Sequence, residues 1–192
     1  MTDDETAWRG RRRYGVVGAQ APRAFSAAYA RNGGEALVYG GVFFLVLGVA
    51  AAVVNGEAGF LVLSLAGLAS SFYFYPTVDH RAPQVAASSR GLYVDRIGTI
   101  PWPAIRRVRL RRQALRTMRL AYLTVEVDGR LEEAVIEPAS PPLPLRLMTR
   151  NWRRLPHGLE IRLHTLDRPA EDIHAAIERF LAARSDGHTA RG

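Results

Sequence analysis

Two uncharged apolar stretches, residues 36–54 and 60–75, lie five residues apart in a chain of 192. As a helix rising 1.5 Å per residue, the first reaches roughly 28 Å, about the thickness of a bilayer's hydrocarbon core. The second is a little shorter. It ends in Phe72-Tyr73-Phe74-Tyr75, an aromatic cluster suited to the headgroup level, and Pro76 stops it. Asn55, Gly56 and Gly59 are turn formers, and Glu57 suits a water-facing tip. The pattern predicts a transmembrane helical hairpin over 36–76. A cleaved signal peptide ending at Ala50-Ala51-Ala52 fits poorly, because about 35 residues precede the first run and a second span follows it.

Small residues mark packing faces on both helices. Gly41, Gly48 and Ala52 lie about one or two heptads apart on the first, and Ser64, Gly67 and Ser71 fall at i, i+3 and i+7 on the second. Lipid tails supply no hydrophobic drive between helices, so close backbone approach at small residues holds them together. Packing within the hairpin is the plain use of these residues. Docking of a membrane-protein partner or a second copy is the sharper one.

The charge pattern sets an orientation. Arg9, Arg11, Arg12, Arg13, Arg23 and Arg31 precede the first span, the turn carries no positive charge, and Arg81, Arg90 and Arg96 follow the second. The positive-inside rule predicts both termini in the cytoplasm. Residues 1–35 read as a cytoplasmic segment whose 22–31 portion is either a short interfacial helix, with Phe25 and Tyr29 at i, i+4, or a linker. The net charge is +8 and every basic residue except histidine is arginine. The absence of cysteine excludes disulfides, Cys-ligated metal and a Cys nucleophile.

From about residue 84 the hydrophobic period changes to two. Leu92 and Val94, then Val108 and Leu110, then Leu123, Val125 and Val127, and finally Leu159, Ile161 and Leu163 alternate with polar neighbours as half-buried strands do. Asp128-Gly129 between two such runs is a hairpin signal, making 130–137 a strand. Residues 138–158, with five prolines, read mostly as a loop or insertion. Ile173, Ala176, Ile177, Phe180 and Leu181 form one stripe of a closing helix that Asp167 is placed to cap, followed by a disordered tail over 186–192. The fold class is α+β, with six or seven antiparallel strands forming a sandwich or barrel that the C-terminal helix closes.

The run 91–110, with Gly91-Leu92 opening a strand and Ile100-Pro101-Trp102, Ile105 and Val108 following, resembles uncharacterised bacterial membrane proteins in which two transmembrane helices precede a PH-like domain. The order of elements matches over about 36–184. The resemblance implies a PH-like domain over 77–185 and a bacterial inner (cytoplasmic) membrane. It implies architecture more than activity. Phosphoinositide-binding PH domains carry a basic motif between their first two strands, and here 88–91 offers only Arg90.

The densest chemical signal is Arg106, Arg107, Arg109, Arg111, Arg112, Arg116 and Arg119, seven arginines in fourteen residues with no acid among them. Arg107, Arg109 and Arg111 share one strand face. Tethered at a membrane, that face could lie on anionic lipid headgroups, each arginine contributing about 1 kcal/mol near the surface. A solvated strand face and a protein partner are the other readings. Arg150, Trp152, Arg153 and Arg154 make a second basic patch with an interfacial aromatic. Nucleic acid is disfavoured by the tether and by the lack of a recognised motif. Glu171 and His174 stand at i, i+3 on a single helix, the other histidines are scattered, and Glu132-Glu133 are neighbours on a predicted strand. These imply no catalytic set, metal or cofactor. The sequence therefore predicts a non-enzymatic membrane protein presenting a binding or scaffolding domain. A complex subunit recruited through the hairpin is the alternative, and an enzyme on lipid or envelope substrates comes third.

Overall fold

The computed structural model describes residues 24–31, 34–115 and 118–189. Within it, the first apolar run forms helix α1 (Glu35–Asn55), ended by Gly56 in the left-handed conformation, φ 68°. A 3-10 turn at Ala58–Phe60 leads into α2 (Leu61–Phe74), and a second at Tyr75–Val78 leads out. With their flanking turns, both helical stretches are long and apolar enough to cross a membrane, and little of either is buried within the protein.

A short strand, β1 (Phe25–Ala27), precedes the hairpin and pairs antiparallel with β2 (Val85–Ser88), which follows it. The segment that sequence left as interfacial helix or linker is thus part of the domain. Its Ala27 is fully buried, and extended backbone lets Ala27 face the core while the segment's polar groups complete a sheet edge. The hairpin is therefore inserted between two paired strands, and the domain begins before it rather than at residue 77.

Sheet one continues through β3 (Gly91–Val94) and β4 (Gly98–Ile100) to a two-residue β7 (Glu137–Pro138), in the order β1-β2-β3-β4-β7. Gly91 lies so close to the Ile100 carbonyl that no Cβ fits there. A 3-10 corner at Trp102–Ala104 then starts sheet two: β5 (Ile105–Leu115), β6 (Met118–Val127), β9 (Gly158–Arg162) and β8 (Trp152–Leu155), in the order β5-β6-β9-β8. The two antiparallel sheets stay separate, so the architecture is α+β but not a closed barrel.

Leu92, Val94 and Ile100 from sheet one meet Leu123, Val125, Leu159 and Ile161 from sheet two in one core. Helix α5 (Ala170–Thr189) adds Ile173, Ile177 and Phe180. Trp102 stacks on Phe180 at 5.1 Å between ring centroids, and its indole N–H donates to the Ser88 carbonyl at 2.8 Å. The aromatic of the Ile-Pro-Trp run thus pins the corner between sheets to the closing helix.

Four local expectations are corrected. After Asp128-Gly129 the chain forms a helical turn, α3 (Leu131–Ala134), because Leu131 and Ala134 bury together at a spacing of three. The proline-rich stretch holds a short helix, α4 (Leu143–Leu147), and the edge strand β8. Asp167 does not cap α5; its Oδ1 accepts from the Ala28 N–H at 3.0 Å, and its own N–H donates to the Ala28 carbonyl at 2.9 Å. Helix α5 also continues through Thr189, past the predicted start of the tail at 186.

Candidate functional site

The arginine run falls on β5, whose alternation sends Val108 and Leu110 toward the core and Arg107, Arg109 and Arg111 to the outer face of sheet two. The acids missing from the run arrive on neighbouring strands. Arg107 stands opposite Glu126, Arg109 opposite Thr124 and Arg111 opposite Tyr122. Arg109 lies 3.9 Å from Glu126, and Arg111 pairs with Glu160 on β9 at 3.1 Å while lying over the Tyr122 ring. Arg153 on β8 reaches the other oxygen of Glu160 at 3.3 Å. Glu160, 8% exposed, is a buried carboxylate clamped by two guanidinium groups.

Other arginines of the run go elsewhere. Arg112 pairs with Glu171 in the first turn of α5 at 2.8 Å. Arg119 is exposed on β6, with no ion pair among the described residues, as is Arg106. Arg116 lies outside the described residues. In the second patch, Arg154 pairs with Glu132, whose carboxyl is held below its ordinary range by its own backbone N–H and by Arg154. Trp152 is half-buried, donates to the Asp95 carbonyl at 2.8 Å and carries the Arg150 guanidinium 4.6 Å from its ring centre.

Two hollows adjoin this face. One of about 330 Å³ is lined by Arg111, Tyr122, Arg153, Glu160, Arg162 and His164. A larger cleft of about 760 Å³ separates the β5–β6 arm from the start of α5, between Arg112, Arg119, His164, Arg168 and Glu171. Glu160 and Arg162 were not singled out from sequence. The outward phase of β9 marked them as surface, but only strand order brings Glu160 within reach of Arg111 and Arg153 and sets Arg162 opposite Tyr122.

The hairpin base fixes which end of the face is nearer α1 and α2. Beyond β9, the Ala30 N–H donates to the Thr165 carbonyl at 2.9 Å, just before α1 begins. The Arg162–Tyr122–Arg111 end of sheet two therefore adjoins the hairpin. Arg107 lies about 13 Å further along β5, at roughly 3.3 Å per residue. The junction is stapled by His80, whose Nε2 lies 2.6 Å from a Glu35 carboxylate oxygen and whose Nδ1 faces the Tyr29 carbonyl at 3.2 Å. Burial pushes the Tyr29 phenol up to about 12, against the opposing pull of Arg96. Burial also raises the Asp95 carboxyl, although Arg96 partly offsets it. Beside this junction, the Gln84 side-chain oxygen and both amide atoms of Asn151 are buried without a hydrogen-bond partner among the described residues.

The small residues of the helices meet one another. A Cβ on Gly41 would strike Ser71 Oγ and the Gly67 carbonyl, and one on Gly48 would strike Ser64. Ser64 Oγ donates to the Leu45 carbonyl at 3.0 Å and Ser71 Oγ to the Val38 carbonyl at 2.8 Å. All five candidate packing residues are used inside the hairpin. Glu171 and His174 go separate ways, to Arg112 and Glu178, and no cluster able to hold a metal occurs among the described residues.

No family model, curated protein or solved structure matches this chain.

Proposed function

We propose that the chain is a non-enzymatic integral membrane protein that holds a PH-like binding and scaffolding domain against the bilayer. The observation that carries this is the insertion of the hairpin between paired β1 and β2. Anchor and domain share a sheet edge, so a partner on the domain is held at a set place relative to the membrane. Two antiparallel sheets closed by α5 support the PH-like reading. Arg31, Arg81, Arg146 and Arg150 are exposed around the hairpin base, whereas Glu57 marks its tip. This favours a cytoplasmic location for the domain and both termini, and the resemblance points to a bacterial inner membrane.

The outer face of sheet two is the proposed contact surface. Its arginines alternate with Glu126 and Glu160, a mixed-charge pattern that suits a protein partner, where complementary charges set register and specificity. Its long axis also leads away from the hairpin. Anionic headgroups are the second reading, favoured by Arg111, Arg112 and Arg119 lying toward the hairpin end. The small-residue faces are occupied within the hairpin, which weakens recruitment through them.

A photoreactive side chain at Thr124 in the full chain, irradiated in native membranes, tests the reading. One protein adduct of defined size, lost when Arg107, Arg109 and Arg111 are all replaced by glutamine, is the expected result. A lipid adduct alone would favour headgroups, and no adduct of either kind would sink both.

A further inference from the structure

Helix α4 exposes Leu143 and Leu147, one turn apart, at 74% and 71%. The segment is short and proline-flanked, yet firmly held. Arg96, with its side chain only 8% exposed and paired with Asp95 at 3.2 Å, donates to the carbonyls of Leu145 at 2.5 Å and Met148 at 3.0 Å. A guanidinium on the last carbonyls of a helix satisfies acceptors that have no partner within it. Arg96 does this from φ 61°, a backbone region that side chains other than glycine rarely occupy. A strained backbone position and a buried charge thus hold two leucines in the open. Facing water, the two leucines bury no apolar surface.

The location supplies the reason. Two residues after Leu147, the Thr149 N–H donates to the Tyr73 carbonyl at 2.8 Å, in the last turn of α2. Tyr73 and Tyr75 are exposed there, at the end of the hairpin's apolar surface. That bond brings the chain just after α4 to the end of α2, and Arg146 and Arg150 are exposed on either side of Leu147.

We infer that α4 is an interfacial membrane element that seats Leu143 and Leu147 at the boundary between headgroups and acyl chains, with Arg146 and Arg150 at the phosphates. The occupant is the bilayer itself, because α4 ends two residues before the chain bonds to the end of α2 and its flanking charges are positive. The inference rests on the hairpin spanning the membrane. Its consequence is a third membrane contact, which fixes the tilt of the domain and hence the direction of the arginine face.

The chain has no cysteine, so single-cysteine spin labels can be placed cleanly in the full protein. Leu143→Cys, Leu147→Cys, Phe43→Cys and Asp128→Cys variants are reconstituted in vesicles of phosphatidylcholine and phosphatidylglycerol. Collision with oxygen and with a water-soluble nickel chelate is then measured. The expected result is oxygen-favoured collision at 143 and 147, shallower than at 43, with chelate-favoured collision at 128. Chelate access at 143 and 147 equal to that at 128, with 43 protected, overturns the inference and leaves the spanning hairpin intact. Shielding of 143 and 147 from both reagents overturns it in favour of a protein partner or a second copy. Chelate access at 43 overturns the hairpin reading and this inference with it.

Discussion

The hairpin and the two-sheet domain are built inside out relative to each other. In the domain, Leu92, Ile100, Leu123, Leu159 and Ile161 are fully buried and arginines line the outside. In the hairpin, the buried residues include Gly41, Gly48, Ser64 and Gly67, while Phe43, Val46 and Leu65 face outward. Water pays no penalty for solvating arginine and expels leucine, so it drives large apolar chains together. In lipid, which is as apolar as leucine, helices would gain by close contact and side-chain-to-backbone hydrogen bonds instead, and this hairpin has both. One chain therefore follows two packing rules, and the hairpin's is the one that a lipid surrounding would favour.

That contrast can be broken by experiment. Leu159→Ala opens the domain core and should cost about 2–5 kcal/mol, whereas Phe43→Ala in a bilayer should cost well under about 1. Denaturant melts of the reconstituted protein compare them, and equal costs would end the inside-out reading. Tyr29 tests how firmly β1 ties the domain to the hairpin. Its folded phenol sits near 12 against an unfolded value near 10, so its stabilising share is full below about pH 10 and is lost as pH rises through about 12. That window corresponds to a few kcal/mol, on the order of 3. Stability measured from pH 9 to 12.5 should fall in the parent and stay flatter in Tyr29→Phe.

Gly67→Val sharpens the comparison on the hairpin side. The added atoms would meet the Gly41 carbonyl and the Leu45 N–H, and overpacking of this kind costs about 1–3 kcal/mol. A distance measurement between labels on α1 and α2 should show the helices spread apart, with the fold of the sheets retained. The smallest effect belongs to the arginine face. Arg109→Gln removes a long, exposed pair with Glu126 and should change stability by at most about 1 kcal/mol, less at high salt. A larger loss in a salt titration would give that face a structural role.

The hairpin was the most legible part because a helix satisfies its own backbone, so composition and length nearly suffice to define it. Its turn, its ends and its small-residue seam all follow from local sequence. The strands β3, β5, β6 and β9 were legible too, since strict alternation marks one buried face. The failures were short elements whose partners are distant. Phe25–Ala27 has no pattern of its own and becomes a strand only because Ala87, Ala86 and Val85 stand beside it. Trp152–Leu155 likewise reads as loop until β9 pairs with it. Asp167 looked like a helix cap for the same reason: its actual acceptor role is toward Ala28, 139 residues away.

The same division runs through the candidate site. Sequence alone established an arginine strand in the outward phase, because alternation is local. It showed a chain of unbalanced charge. Strand order then set Glu126 and Glu160 against those arginines, and folded the run into a paired, mixed-charge face. It also tied the chain just after α4 to the end of α2 through one backbone hydrogen bond, and α4 itself to the β3–β4 turn through the reach of Arg96. Periodicity is a property of neighbours along the chain and survives in the sequence. Charge matching and docking depend on which distant strands lie side by side, and only the tertiary structure decides that.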